Sequence, residues 1–169
     1  LRRPMAAPND SVWTEAAIAD LRRDFGDVYG GRTVLVTGAD GFMGSHLTEA
    51  LVALDANVVA FVRATSSGAL NNIAHLRDRI TLHPADLLDQ LSLIRVIDSV
   101  KPDEIYNLAA MSFVPASWDQ PLLTGEFNSQ GVTRTLEAIR RVNPKIRYYQ
   151  ASSSEIFGNP LEVPQTEET

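Results

Sequence analysis

Cysteine is absent from this 169-residue chain, so neither a disulfide framework nor a thiolate metal site can be built from it. Histidine is scarce. His46, His75 and His83 are scattered without ligand spacing, which leaves each as a packing or surface residue and predicts no metal. No segment approaches the roughly 20 apolar residues that a membrane-spanning helix needs. The opening Leu1-Arg2-Arg3-Pro4-Met5 has basic residues with no apolar run behind them and does not read as a secretory signal. Positive charge is in deficit, 15 Lys and Arg against 21 Asp and Glu for a net charge of −6, which argues against non-specific nucleic-acid binding. These absences fit a cytoplasmic protein. Internal repeats and low-complexity tracts are missing too. What remains, 44% hydrophobic and 21% charged, is ordinary for one compact α/β domain with a real core.

The densest information lies in Thr33-Val-Leu-Val-Thr-Gly-Ala-Asp-Gly-Phe-Met-Gly-Ser-His-Leu47. A short β-branched strand runs into a glycine-rich turn that opens a helix with apolar positions Phe42, Met43, Leu47, Ala50, Leu51 and Leu54. Gly38 ends the strand and permits a sharp turn, Gly41 removes a side chain where backbone must approach phosphate, and Gly44 lets helix pack closely on strand. Free N–H groups at such a helix start, helped by the helix dipole, favour an anion. Three glycines in seven residues also occur in ordinary loops, and the spacing is G-x-x-G-x-x-G rather than G-x-G-x-x-G. The strand before and the helix after favour the dinucleotide cradle.

Helix and strand patterns alternate along the rest. Residues Ser11 to Asp24 read as a helix with Ser11 as N-cap and Glu15 in its first turn, an appendage before the first strand. Then follow helix Gly44 to Leu54, strand Val58 to Val62, a helix around Leu70 to Leu76, strand Ile80 to His83 and helix Asp89 to Val100. Strand Glu104 to Leu108, one long helix Pro121 to Val142 and strand Ile146 to Gln150 complete the series. The pattern predicts a Rossmann-like doubly wound parallel sheet, incomplete at its carboxyl end, over residues 32–169, with residues 1–31 as an N-terminal appendage.

Ligands of doubly wound sheets lie beyond the carboxyl ends of the strands. Arg63 follows the second strand. An acidic residue there would bond a ribose 2′-hydroxyl, whereas an arginine neutralises a 2′-phosphate, so the chain leans to NADP over NAD; a solvated loop arginine is the alternative. Asp86 and Leu87 follow the third strand, where a carboxylate could accept from an adenine amino group. A helix N-cap role for Asp86 or Asp89 competes with that reading. Leu108, Ala109 and Ala110 follow the fourth strand, small enough for a cofactor to lie against backbone. The fifth strand ends in Tyr149-Gln-Ala-Ser-Ser-Ser-Glu-Ile-Phe-Gly158, which puts hydroxyls and a carboxylate beside a nicotinamide ring. A capping box would use the same residues.

Four stretches carry a resemblance: Thr37 to Gly44, Ile105 to Ala110, Phe127 to Thr133 and Ala151 to Gly158. Through them the chain resembles the amino-terminal part of an extended short-chain dehydrogenase/reductase of the nucleotide-sugar epimerase and dehydratase kind, over roughly residues 32–169. Within that superfamily Phe61 to Ser67, Tyr149 to Glu155 and Pro164 to Thr169 resemble the GDP-mannose 4,6-dehydratases most. The resemblance implies a lyase: C4 of the sugar is oxidised, the C5 proton is acidified and removed, water leaves from C6, and hydride returns to C6. It implies that Ser153 bonds the C4 oxygen and Glu155 takes the C5 proton, with Ser154 touching substrate. It further implies cofactor contacts from Gly38, Gly41, Phe42, Met43, Gly44, Arg63, Asp86, Leu87, Leu108, Ala109, Ala110 and Ser112. A nucleotide-sugar substrate and a homodimer or homotetramer, built through the Pro121 to Val142 helix, follow from the same likeness. A 4-epimerase, which needs no base at Glu155, and a non-catalytic dinucleotide-binding module remain as alternatives.

Departures matter as well. Ser153-Ser154-Glu155 stands where dTDP-glucose dehydratases resemble Thr-Asp-Glu, so their separate acid is missing. Met111-Ser112-Phe113-Val114 replaces the usual Gln-Ser-His-Val of the GDP-mannose enzymes. The superfamily's Tyr-x-x-x-Lys pair is also missing: Tyr29, Tyr106, Tyr148 and Tyr149 are followed four residues on by Thr33, Ala110, Ser152 and Ser153. The chain is therefore expected to be the cofactor-binding portion of a longer enzyme, unable to turn over alone.

Overall fold

The computed structural model describes residues 11–63 and 70–169. Ala64, Thr65, Ser66 and Ser67, part of the likeness at the second strand, lie outside the described residues.

Five short strands, β1 Thr33–Thr37, β2 Asn57–Val62, β3 Thr81–Pro84, β4 Glu104–Asn107 and β5 Arg147–Gln150, form one sheet in the order β3-β2-β1-β4-β5. Every pairing is parallel. The chain order reverses between β1 and β4, which opens a crevice beyond their carboxyl ends. Because successive side chains alternate faces, Leu35, Val59, Phe61 and Ile105 enter one core layer and Val34, Val36, Val58 and Ala60 the other. The first layer is closed by α3 Gln90–Val100 and α6 Gly131–Val142, the second by α2 Phe42–Ala53.

The strands and α3 match the sequence pattern within one or two residues; four helical expectations need correction. The helix α1 runs Glu15–Phe25 and is capped by Thr14, whose hydroxyl accepts from Ala17 N–H; Ser11 instead bonds locally to Trp13. The helix α2 starts at Phe42, so Gly44 lies in its first turn. Leu70 to Leu76 yields only a 3₁₀ turn at Ala74–Leu76, because Asp40 captures the preceding amides. The long helix from Pro121 is a succession of α5 Pro121–Gly125, a π-helical segment Glu126–Gln130 and α6, and a further helix, α4 Val114–Asp119, precedes it with Pro115 in its first turn.

The appendage lies on the outside of α2. Trp13 Nε1–H donates to the His46 carbonyl (3.0 Å), Val12 N–H to the buried Glu49 carboxylate (3.2 Å), and Arg22 Nε–H to the Ala53 carbonyl (3.0 Å). At the amino end of the sheet the buried Glu104 carboxylate meets Arg32 at 3.1 Å, Arg147, and the Tyr106 hydroxyl at 3.2 Å. Pairing on all sides satisfies a charge that burial would otherwise penalise.

Candidate active site: a glycine cradle and a serine-bearing strand tip

The turn from β1 into α2 is fixed by sterics. Gly38 adopts φ +68°, a left-handed conformation, and a Cβ there would lie 2.9 Å from Ala109 N. A Cβ on Gly44 would lie 2.0 Å from the Gly38 carbonyl oxygen, so helix and turn meet in a way no other residue permits. Gly41 is the N-cap of α2; its N–H donates to the Gly38 carbonyl (2.9 Å), and no side chain caps the helix. The first-turn amides of α2 therefore retain their capacity for an anion, with the positive end of the helix dipole behind them. Phe42 and Met43 stand 77% and 66% exposed at this rim rather than in the core.

A polar chain that the sequence reading missed joins the strand ends. The buried Thr37 hydroxyl donates to Asn107 Oδ1 (2.5 Å) and accepts from the N–H of Leu108 and of Ala109 (3.1 Å each). Asn107 Nδ2–H donates to Gln150 Oε1 (2.8 Å), which also accepts from the Tyr148 hydroxyl (2.6 Å). The tips of β1, β4 and β5 are thus linked by side chains, and Ala151 N–H extends the ladder to the Asn107 carbonyl (3.2 Å). A fully buried Asn in a central strand is the signal that could have revealed this link, since such an amide must find partners. Beyond β4, Asn128 in the π-helical segment takes both main-chain groups of Met111, accepting from its N–H (2.8 Å) and donating to its carbonyl (2.9 Å). This holds the stretch from Ala110 to the exposed Ser112.

The other anticipated residues fall around the same crevice, with differing freedom. Arg63 is exposed and lines a pocket of about 280 Å³ with Pro84, Ala85, Asp86, Asp89 and Ser92. Asp89 caps α3 through Leu91 N–H (3.0 Å), and Asp86 Oδ1 accepts from Leu88 N–H (2.9 Å). The Leu87 side chain is 2% exposed in the core, against the position a Gly131 Cβ would occupy, which leaves its main chain to meet a ligand. After β5, Ser152 takes φ +58° and the chain turns into a 3₁₀ turn Ser154–Phe157. Ser153 and Glu155 are both exposed, and the Ser153 hydroxyl accepts from Glu155 N–H (3.2 Å). That bond occupies an acceptor site and leaves the hydroxyl proton to donate. The Ser154 side chain lies outside the described residues.

Among the described residues no group of His, Asp and Glu could hold a metal ion, and no helix is long and apolar enough to cross a membrane. The cradle fits a dinucleotide by its own geometry: three positions that exclude a Cβ or bring backbone close, in front of an uncapped helix.

Known proteins agree with this geometry. Residues 35–169 match the family model of GDP-mannose 4,6 dehydratase. The GDP-mannose 4,6 dehydratase of Drosophila melanogaster is 38% identical over 99% of this chain and 44% of its own length. An epimerase of Methanothermobacter thermautotrophicus superposes with a TM-score of 0.75 at 31% identity, covering 88% of this chain and 43% of that one. The UDP-glucose 4-epimerase of Brucella ovis, solved in complex with NAD, gives a TM-score of 0.69 at 25% identity over 82% and 41%. The chain thus spans less than half the length of these relatives. A Rossmann-like parallel sheet, the glycine cradle at its switch point and the match over residues 35–169 together show that the chain belongs to the GDP-mannose 4,6-dehydratase family.

Proposed function

We propose that residues 32–169 are the cofactor-binding part of an NADP-dependent nucleotide-sugar 4,6-dehydratase acting on a GDP-mannose-like substrate. The observation that carries this reading is the cradle, where Gly38, Gly41 and Gly44 bring backbone amides to the uncapped start of α2. The amides of Phe42, Met43 and Gly44 would hold the pyrophosphate, and Arg63, beside Asp86 in its pocket, would meet the adenosine end. Leu108, Ala109 and Ala110 provide the backbone against which the cofactor lies. A bound nicotinamide supplies the acceptor and later the donor of hydride. Ser153, whose hydroxyl proton is free to donate, bonds the C4 oxygen; Glu155, exposed two residues on, takes the C5 proton and assists departure of the C6 hydroxyl. The superfamily's tyrosine–lysine acid/base pair is not among these 169 residues. Leu122 and Trp118, 86% and 83% exposed on α5 and α4, support a homodimer through these helices.

The NADP preference is tested by titrating the chain with NADP and NAD before and after Arg63→Ala. A fall of about tenfold in the affinity ratio is expected from losing one charge-assisted phosphate contact, and an unchanged ratio removes the case for the 2′-phosphate. Reaction type is tested in the whole protein with Glu155→Gln, which should stop water loss while sparing C4 oxidation. Equal loss of both steps counts against the base. A 4-epimerase is the second reading, favoured by the epimerase neighbours in structure; inversion at C4 without loss of water would establish it.

A further inference from the structure

Asp40 is out of place electrostatically. It lies between Gly38 and Gly41, beside amides offered to a pyrophosphate, where a free carboxylate would repel the ligand. Its charge is directed elsewhere. Oδ1 accepts from the N–H groups of Asn71 (3.1 Å), Asn72 (2.8 Å) and Ile73 (3.3 Å), and Oδ2 from Asn71 (3.2 Å). Asn72 Nδ2–H donates back to the Asp40 carbonyl at 2.7 Å. Successive amides converging on one oxygen make the kind of concavity that elsewhere binds a free anion, and here the chain fills it with its own carboxylate. Ile73, one of the three donors, is fully buried in the layer beneath α2, so the clasped stretch is anchored in the core.

The clasp ties the turn between Gly38 and Gly41 to a stretch anchored in the core. That removes conformational freedom of the turn which a ligand would otherwise have to remove on binding.

We propose that Asp40 is a positioning residue for the dinucleotide: by spending its charge on the amides of residues 71–73 it holds the glycine cradle in its binding geometry and keeps that charge from the pyrophosphate. The pyrophosphate amides are then set before the cofactor arrives. This inference rests on the cofactor reading above, and goes beyond it in naming a residue that touches no ligand. Asp40→Asn keeps the oxygen that takes three of the four N–H bonds, whereas Asp40→Ala removes all of them.

The test measures NADP and NAD affinity of the chain and both variants by equilibrium titration, with thermal unfolding alongside. Asp40→Ala should weaken NADP and NAD alike, by about tenfold, while Asp40→Asn stays within about threefold of the parent. A role in stability alone would lower the unfolding temperature and leave both affinities untouched, which overturns the proposal. Asp40→Ala binding NADP as tightly as the parent overturns the proposal. So do both variants binding more tightly than the parent, since Asp40 would then contribute only repulsion. Should Asp40→Ala fail to fold, Asp40→Asn decides: affinity near the parent's supports the clasp, and affinity above it overturns it. A parent chain that binds neither dinucleotide fails at the cofactor reading instead, and takes the inference with it.

Discussion

The turn after β1 and the turn after β5 face the same crevice and are built on opposite principles. In the first, backbone packs on backbone: Gly44 against Gly38, Gly38 against Ala109, and Asp40 clasping the next connection. In the second, Ser153 and Glu155 stand exposed, with one hydroxyl-to-amide bond between them. The first turn is therefore fixed by its own packing, whatever the crevice holds. The strand tip offers chemistry whose positioning depends on what the crevice holds, because little in its own surroundings restrains the two side chains.

The contrast can be broken most forcefully at Gly44. Gly44→Ala places a methyl 2.0 Å from a carbonyl oxygen and should cost about 3 kcal/mol or more, whereas Ser153→Ala should cost only about 0.5 kcal/mol. Chemical denaturation of the two variants makes the comparison, and similar losses would erase the distinction. Thr37→Val sharpens it, since this hydroxyl joins both turns through Asn107. Removing it leaves two main-chain N–H groups and one side-chain acceptor without their partner in the interior, worth about 2 to 3 kcal/mol in the same measurement.

A further effect concerns pH. Burial pushes the Tyr148 phenol up to about 12, and burial followed by the hydrogen bond with Tyr29 pushes Tyr106 up to about 12. Folding thus favours the protonated phenols. Their contribution is fully present below the ordinary tyrosine value near 10 and is lost as pH climbs from about 10 to about 12. Unfolding midpoints measured across that window should fall, and Tyr148→Phe should flatten part of the fall.

How much of this was legible beforehand follows from the range of each interaction. Val34, Leu35 and Val36 announce a strand buried on both faces, and Gly38, Gly41 and Gly44 announce the turn, because both signals are local. The cap at Asp89 was legible as one of two candidates, and neighbouring Asp86 took a local turn bond instead. The Thr37–Asn107–Gln150 chain was not legible, since its members are some seventy and forty residues apart and meet only once the sheet is assembled. The π-helical segment escaped because its residues suit an ordinary helix; Asn128 reaching Met111 is a tertiary contact. Leu87 follows a strand as ligand residues do, yet tertiary packing against α6 claims its side chain. Asp40 was visible as a charge among glycines, and its partners were not.

The central claim is that the amides opening α2 bind a pyrophosphate. Titrating the isotopically labelled chain with NADP while following backbone amide resonances tests it directly. Saturable shifts concentrated at Gly41, Phe42, Met43 and Gly44, absent in titrations with nicotinamide alone, are the result this account predicts. Saturation that leaves those four amides unmoved, or no binding at all, would contradict it.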